Sequence, residues 1–209
     1  MTHGDSAAAA KRAATDHSIL DVLAERWSPR AWADRPIETD KLQRLFEAAR
    51  WAPSSYNEQP WRFFVARRHS DAWWPDALAS LNEWNRGWAA SAPVLVVTAV
   101  SRVFQRNGRP NRTAEHDLGL AMGNLLAQAT AEGLHVHQMA GILPDEARRR
   151  FAVPDGFDVV TAAAIGYLGA PDQLAEDFRA EETAPRTRRP LSGSVFGGSW
   201  EEPSPFVGG

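Results

Sequence analysis

The chain has 209 residues, of which 44% are hydrophobic and 23% charged, with both signs interspersed to a formal net charge of −3. A chain of this size fits one domain with its own core plus terminal arms, and it presents no basic field that would draw nucleic acid or an anionic membrane. There is no cysteine, which excludes disulfides, thiolate metal sites and thiol catalysis; small molecules remain as the expected partners and a reducing cytoplasm as the fitting compartment.

Residues 1–17 contain an alanine run but no long apolar stretch behind a basic start. They are expected to form a flexible arm, neither a signal peptide nor a membrane span. A helix is expected from Ser18 to about Glu25, because Pro29 disfavours helical backbone at Ser28 and sends the chain on extended. In extended Arg26-Trp27-Ser28-Pro29-Arg30, residues two apart point the same way. Arg26, Ser28 and Arg30 then present two guanidinium groups and a hydroxyl on one side, a fit for a phosphate or another anionic group. Taken alone, a solvated helix end explains the same residues. From Asp40 to Arg50, Leu42, Leu45, Phe46 and Ala49 recur at helical spacing, with Asp40 and Gln43 placed to cap the start.

The tract Trp51-Ala-Pro-Ser-Ser-Tyr-Asn-Glu-Gln-Pro-Trp61 connects that helix to a strand expected over Arg62 to Arg67. Pro53 and Pro60 restrict the backbone on either side of it. Ser54, Ser55, Asn57 and Gln59 offer short donors and acceptors without strong charge, which suits the edge of a neutral heteroaromatic ring better than a phosphate. The plainer alternative is a polar turn between core elements.

Pro93 to Val100 is almost uninterrupted in its apolar character and reads as a strand buried on both faces. The longest helix is expected over Thr113 to Glu132, closed by Gly133 as a left-handed cap. It is small and apolar nearly all round, so it should be buried on all sides. Gly119 and Gly123 share one face, where a second copy of the chain could approach closely. His116 and Asp117 within it read as a buried, mutually satisfied pair. Leu134 to Gln138 is a further strand, Pro144 to Arg150 a helix begun by proline, Phe157 to Leu168 an apolar strand and Asp172 to Glu182 an acidic helix. His135 and His137 share a strand face. Without cysteine or a well-placed carboxylate they read as packed or hydrogen-bonded rather than as metal ligands. No Gly-x-Ser-x-Gly, Gly-x-Gly-x-x-Gly or P-loop occurs, so a hydrolase has little footing and a nicotinamide has no dinucleotide domain. Trp73, Trp74, Trp84 and Trp88 are candidates for a substrate pocket, core packing being the commoner use. The whole reads as one α+β domain over residues 18–196, with 197–209 a flexible tail.

Ala-Pro-Ser-Ser-x-Asn-x-Gln-Pro-Trp after a helix containing Glu-Ala-Ala resembles the signature of the nitroreductase family, FMN-dependent homodimeric oxidoreductases. The resemblance implies a mixed, mainly antiparallel sheet flanked by helices in an intertwined homodimer, with FMN at the subunit interface. Each site would take the Pro53, Ser54, Ser55, Asn57 loop from one subunit and arginines from the other. In this register Arg26, Trp27, Ser28 and Arg30 match the family's Arg-x-Ser-x-Lys/Arg motif. The resemblance implies that Arg26 and Ser28 serve the FMN phosphate and ribityl side, and that Arg30 lies near N1 and O2 of the flavin. Arg186 and Arg188 resemble the pair that closes on the phosphate, and without that role they read as an exposed basic linker. The backbone of Ala140 and Gly141 would face flavin N5 and O4, Ala140 standing where family members often carry Glu. Asn85 would bond the pyrimidine edge, with Trp88 where a basic residue is frequent. NAD(P)H would be a transient electron donor and an electron-poor nitroaromatic, quinone or enone the acceptor. A flavin oxidase, dehydrogenase or dehalogenase of the same fold, or a non-catalytic flavin-binding protein, is the alternative.

Overall fold

The apolar run after Pro93 becomes the strand around which everything else is layered. In the computed structural model, which describes residues 10–207, four strands, β1 (Trp61–Arg67), β2 (Val94–Ser101), β3 (His135–Met139) and β4 (Phe157–Gly166), form one sheet in the order β1-β2-β4-β3. Every residue of β2 is buried, because a strand paired on both edges and covered on both faces has no solvent side to alternate toward. All three pairings are antiparallel. The sheet is thus antiparallel throughout the described residues.

The helices are α1 (Asp21–Glu25), α2 (Thr39–Arg50), α3 (Trp74–Ala79), α4 (Glu83–Ala89), α5 (Ala114–Ala131), α6 (Pro144–Arg150) and α7 (Glu176–Thr183). They divide between the two faces of the sheet by the period of two along each strand. Val94, Val96 and Val100 pack with Leu42 and Leu45 of α2 and with Leu118, Met122 and Leu125 of α5. Leu95 and Val97 pack on the other side with Trp74, Ala77, Trp88 and Ala147 from α3, α4 and α6, and with Trp32. Helices α3 and α4 were not expected from periodicity, since both are short. Their signals are local: Pro75 in the first turn of α3 and Asn82, whose side chain accepts the Asn85 N–H at 2.9 Å as the N-cap of α4. The acidic helix expected over Asp172 to Glu182 is divided into a short 3₁₀ turn at Pro171–Gln173 and α7.

One further expectation is corrected, the His116–Asp117 pair, and two others are placed by the described residues. Helix α5 is not buried on all sides within one chain: His116, Gly119, Leu120, Gly123 and Asn124 form an exposed stripe, because α2 and the sheet cover only the opposite side. Asp117 is buried but His116 is exposed, so the two are not a closed pair. The N-terminal segment is held down over its described part. Lys11 Nζ donates to the Glu181 carbonyl at 2.6 Å, Arg12 pairs with Asp21 and Glu25, and Ala13 N donates to Ala24 O at 2.9 Å. Residues 1–9 of the expected arm lie outside the described residues. In the tail, Phe196 bridges Pro203 in a small hairpin.

The β2–β4 ladder contains a bulge next to Thr98, where the register shifts between Val97 and Ala99. The fully buried Thr98 hydroxyl fills in for the interrupted ladder, accepting from Thr161 N at 3.1 Å and lying 3.0 Å from Thr161 O. Thr98→Val removes that acceptor and strands a buried N–H, so it should destabilise the fold by about 1–3 kcal/mol in urea unfolding, while Thr98→Ser should stay near wild type.

Candidate functional site

The extended segment after α1 runs alongside β3, and its alternation is the expected one. Trp27 and Pro29 turn inward and are buried. The Trp27 ring meets His135 edge-on at 5.9 Å, and the Pro29 carbonyl accepts from His137 Nδ1 at 2.9 Å. Arg26 and Ser28 turn the other way, with Arg26 Nη1 3.5 Å from Ser28 Oγ. Trp27, grouped with the binding residues in the sequence, therefore packs beneath the segment with 4% of its surface exposed.

Arg186 and Arg188 come back to this segment from the far end of the chain. Among the described residues Arg26, Arg186 and Arg188 have no carboxylate partner, although they crowd one another. Burial first and Arg188 second lower the pKa of Arg26; burial, then Arg26 and Arg188, lower that of Arg186. Arg186 is engaged at each of its nitrogens: Nε donates to Lys11 O, Nη1 to Arg26 O and Nη2 to Ala24 O, all at 2.5 Å. Its guanidinium thus clasps the backbone at Lys11, Ala24 and Arg26, while the Arg26 and Arg188 guanidinium groups have no carboxylate partner. The groove beside them measures about 380 Å³ and is lined by Leu23, Arg26, Arg186, Arg188 and Leu191.

From His135 the site follows β3. His135 Nδ1 is buried without a protein partner among the described residues, and His137 stacks against Trp88 with ring centroids 4.5 Å apart. Burial holds both imidazoles down to about 4, helped by Arg26 at His135 and by Arg30 at His137, where the Pro29 hydrogen bond acts in the opposite direction. Five residues further, about 17 Å along an extended chain, β3 ends in a turn in which Ile142 N donates to Ala140 O at 2.8 Å. The amides of Ala140 and Gly141 donate to no protein acceptor among the described residues. Gly141 O accepts from Asn82 N and from Asn85 Nδ2, both at 3.0 Å. A Cβ on Gly141 would stand 2.4 Å from Asn82 Nδ2 and 2.5 Å from Asn85 Nδ2, so a side chain there would displace both asparagine amides. Asn85, expected at the pyrimidine edge, and Ala140 and Gly141, expected near N5 and O4, meet at this turn through the Gly141 carbonyl.

Arg30 lies between these two ends but is already paired. Its Nη1 sits 2.6 Å from Glu181 Oε2 and its guanidinium lies over Phe178, which packs against the exposed Trp84. Sequence reasoning missed the group that fixes this corner. Glu182, 2% exposed, accepts from the backbone N–H of Arg30 and Ala31 at 2.9 Å. Burial pushes its carboxyl up while those bonds, Arg30 and Lys11 pull it down. It sits in an acidic helix whose apolar pattern is weak, and nothing local marks it as different from Glu181. Of the four tryptophans, Trp74 and Trp88 belong to the core, Trp73 donates to Val65 O at 2.7 Å on another part of the surface, and only Trp84 stands open beside Arg30's partner.

The Pro53–Asn57 loop is elsewhere. Ser55 N donates to Asp117 Oδ2 at 3.1 Å and Gln59 N to Ser54 Oγ at 3.0 Å, which seats the loop on the first turn of α5. Arg26 and His135 lie beyond its last turn. From Asp117 to Ala131 the helix runs about 21 Å, and among the described residues no hydrogen bond joins the loop to Arg26, Arg186 or Arg188.

The Nitroreductase family model matches residues 23–167, more than half of the chain, and the chain belongs to that family. It is 29% identical over 160 residues to a Streptomyces coelicolor protein provisionally named NADH dehydrogenase/NAD(P)H nitroreductase, covering 68% of this chain and 78% of that one. It is 28% identical over 205 residues to an NADH dehydrogenase of Thermus thermophilus, covering 82% and 92%. A solved structure described as an oxidoreductase containing FMN superposes with a TM-score of 0.83 at 34% identity, covering 89% of this chain and 94% of that one.

The two depressed histidines make stability depend on pH. Their folded-state pKa lies below the unfolded value of about 6.5, so the unfolded chain binds more protons and stability is lost as pH falls from about 6.5 toward about 4. Unfolding free energies from urea titrations at pH 7.5 and pH 4.5 should differ by on the order of 2 kcal/mol per histidine, and His137→Gln should shrink the difference.

Proposed function

We propose that this protein is an FMN-dependent NAD(P)H oxidoreductase that reduces an electron-poor small molecule of nitroaromatic, quinone or enone type in two half-reactions at one site. The observation that carries this reading is the pairing of two ends. Arginines without a counter-carboxylate stand at the start of β3, and a turn with two uncommitted amides stands at its finish. A molecule with a phosphate at one end and a polar ring edge at the other fits both. The fit extends to the glycine at the turn, where a side chain would collide with Asn82 and Asn85.

In this reading Arg26, Ser28 and Arg188 bind the phosphate, charge-assisted bonds relieving the repulsion among the arginines. Arg186 positions Arg26 through its backbone. Ala140 and Gly141 offer N–H groups, and Asn85 an amide, toward the ring edge. Bound FMN would supply the hydride and electron chemistry at this site. Arg30 keeps a cation beside the pyrimidine edge, where negative charge gathers on reduction. No side chain is required as a nucleophile, and Ala140 leaves proton delivery to solvent.

The second part of the proposal is a homodimer. The open stripe on α5 has room: nothing lies within 4 Å of a Cβ built at Gly119 or Gly123. A second copy laid antiparallel along α5 would carry its Pro53–Asn57 loop to the arginines of the first and complete two sites. Gly123→Arg should therefore be tolerated by the folded monomer, halve the sedimentation mass and lose FMN together with it.

Absorbance after FMN addition and desalting, followed by anaerobic titration with NADH and NADPH, tests the chemistry. Bleaching of a yellow protein is expected. A yellow protein that neither nicotinamide bleaches would turn the reading toward a flavin oxidase or dehalogenase. Arg26→Ala combined with Arg188→Ala should lower FMN retention by at least about 100-fold, two lost charge-assisted bonds being on the order of 3 kcal/mol or more; unchanged retention would remove the phosphate assignment.

A further inference from the structure

The connection between β2 and α5 is the most basic stretch of the chain. Residues 102–112 hold Arg102, Arg106, Arg109 and Arg112 and no acidic residue, in a protein of net charge −3. The stretch is a hairpin: Val103 bridges Pro110, Phe104 N donates to Arg109 O at 2.8 Å, and Gly108 turns the tip at φ +67°. Arg102 is committed to Asp158 and to Glu115, the latter at 2.8 Å. Arg106, Arg109 and Arg112 are exposed and have no carboxylate partner among the described residues.

This hairpin is fastened to the Pro53–Asn57 loop at two points. Gln105 N donates to Glu58 Oε1 at 2.8 Å, and the Arg106 guanidinium lies 3.8 Å from the centre of the Tyr56 ring, with Phe104 edge-on to Tyr56 at 5.9 Å. Tyr56 is 71% exposed. Its backbone, with those of Asn57 and Gln59, is left-handed at φ +55°, +57° and +48°. Three non-glycine residues so placed within four positions are strain that the surroundings must hold. Presenting an aromatic face under an arginine is a use for it. A guanidinium stacked on a ring keeps its edge N–H groups free for a bidentate anion.

We propose that Arg106, Arg109 and Arg112 form a second anion subsite that selects the small molecule reaching the redox site by an anionic substituent. That substituent is either the 2′-phosphate of NADPH on the donor or a carboxylate on an aromatic acceptor. The inference rests on the proposed oxidoreductase function for its meaning. Its location does not, because this cluster lies at the start of α5 and the cluster assigned to FMN phosphate lies beyond its end.

Calorimetric titration of the purified, FMN-supplemented protein decides it. One arm compares adenosine 2′,5′-bisphosphate with adenosine 5′-monophosphate, the other 4-nitrobenzoate with 4-nitrobenzyl alcohol. In at least one arm the wild type should prefer the more anionic member by about tenfold or more, the scale of one charge-assisted hydrogen bond. Arg106→Ala and Arg109→Ala should erase that preference and leave FMN content and affinity for the less charged member unchanged; Arg106→Lys should retain part of it. Preference in the first arm assigns the subsite to the donor and predicts a matching NADPH over NADH ratio in flavin reduction. Preference in the second assigns it to the acceptor. No preference in either arm, or a preference that the alanine variants keep, overturns the subsite. Protein that stays colourless would count against the FMN reading, and the same titrations would still decide the anion subsite.

Discussion

Bringing Arg26, Arg186 and Arg188 together without a carboxylate costs electrostatic free energy in the free protein, since Arg26 and Arg186 are partly desolvated and their charge is disfavoured by the neighbouring arginines. Much of the architecture serves to hold them there. Arg186 is locked by three backbone carbonyls, which ties the C-terminal segment to the N-terminal one across some 160 residues of chain. Glu182 grips the other end of the same segment by two backbone amides. Trp27 and Pro29 press it onto β3 through His135 and His137, whose burial as neutral rings avoids adding more positive charge. The repulsion is local and the compensation is distributed over contacts from both ends of the chain.

The second constraint is length. Helix α5 keeps the Pro53–Asn57 loop and the arginines at its opposite ends, and it leaves uncovered the one stripe where Gly119 and Gly123 remove side chains. A helix with so little polar surface, half open in one chain, has the character of an interface held in reserve. In the homodimer proposed above, incomplete burial and an incomplete site would be one property, since covering this surface would also bring the two halves together.

How far the sequence carried the reading varied from element to element for physical reasons. Strand β2 and helix α5 were legible because long uniform runs leave one structural solution, and Gly133 closes the helix at φ +71° as its position suggested. Helices α3 and α4 were missed because six or seven residues carry too little periodicity, and their capping by Pro75 and Asn82 is a weaker cue. Asn85, Ala140 and Gly141 were picked out separately, and the fold joins them through one carbonyl. Glu182 and Asp117 were out of reach of pattern reasoning, since a carboxylate's role depends on which amides come to face it. Arg186 shows the same limit from the other side: its identity pointed to an anion, and its surroundings made it a clasp.

By itself, then, the sequence determined the long helices and the strands, the burial of the central strand, the alternation that turns Arg26 and Ser28 away from Trp27, and the family, because these follow from local spacing and from short motifs. The tertiary structure alone decided which arginines are spent on backbone and which face outward. It also decided that Arg30 is paired with Glu181, and that the Pro53–Asn57 loop is seated on the first turn of α5. Those facts depend on contacts between residues distant in the chain, where charge, burial and reach are set by the packing of other elements and no local pattern records the outcome.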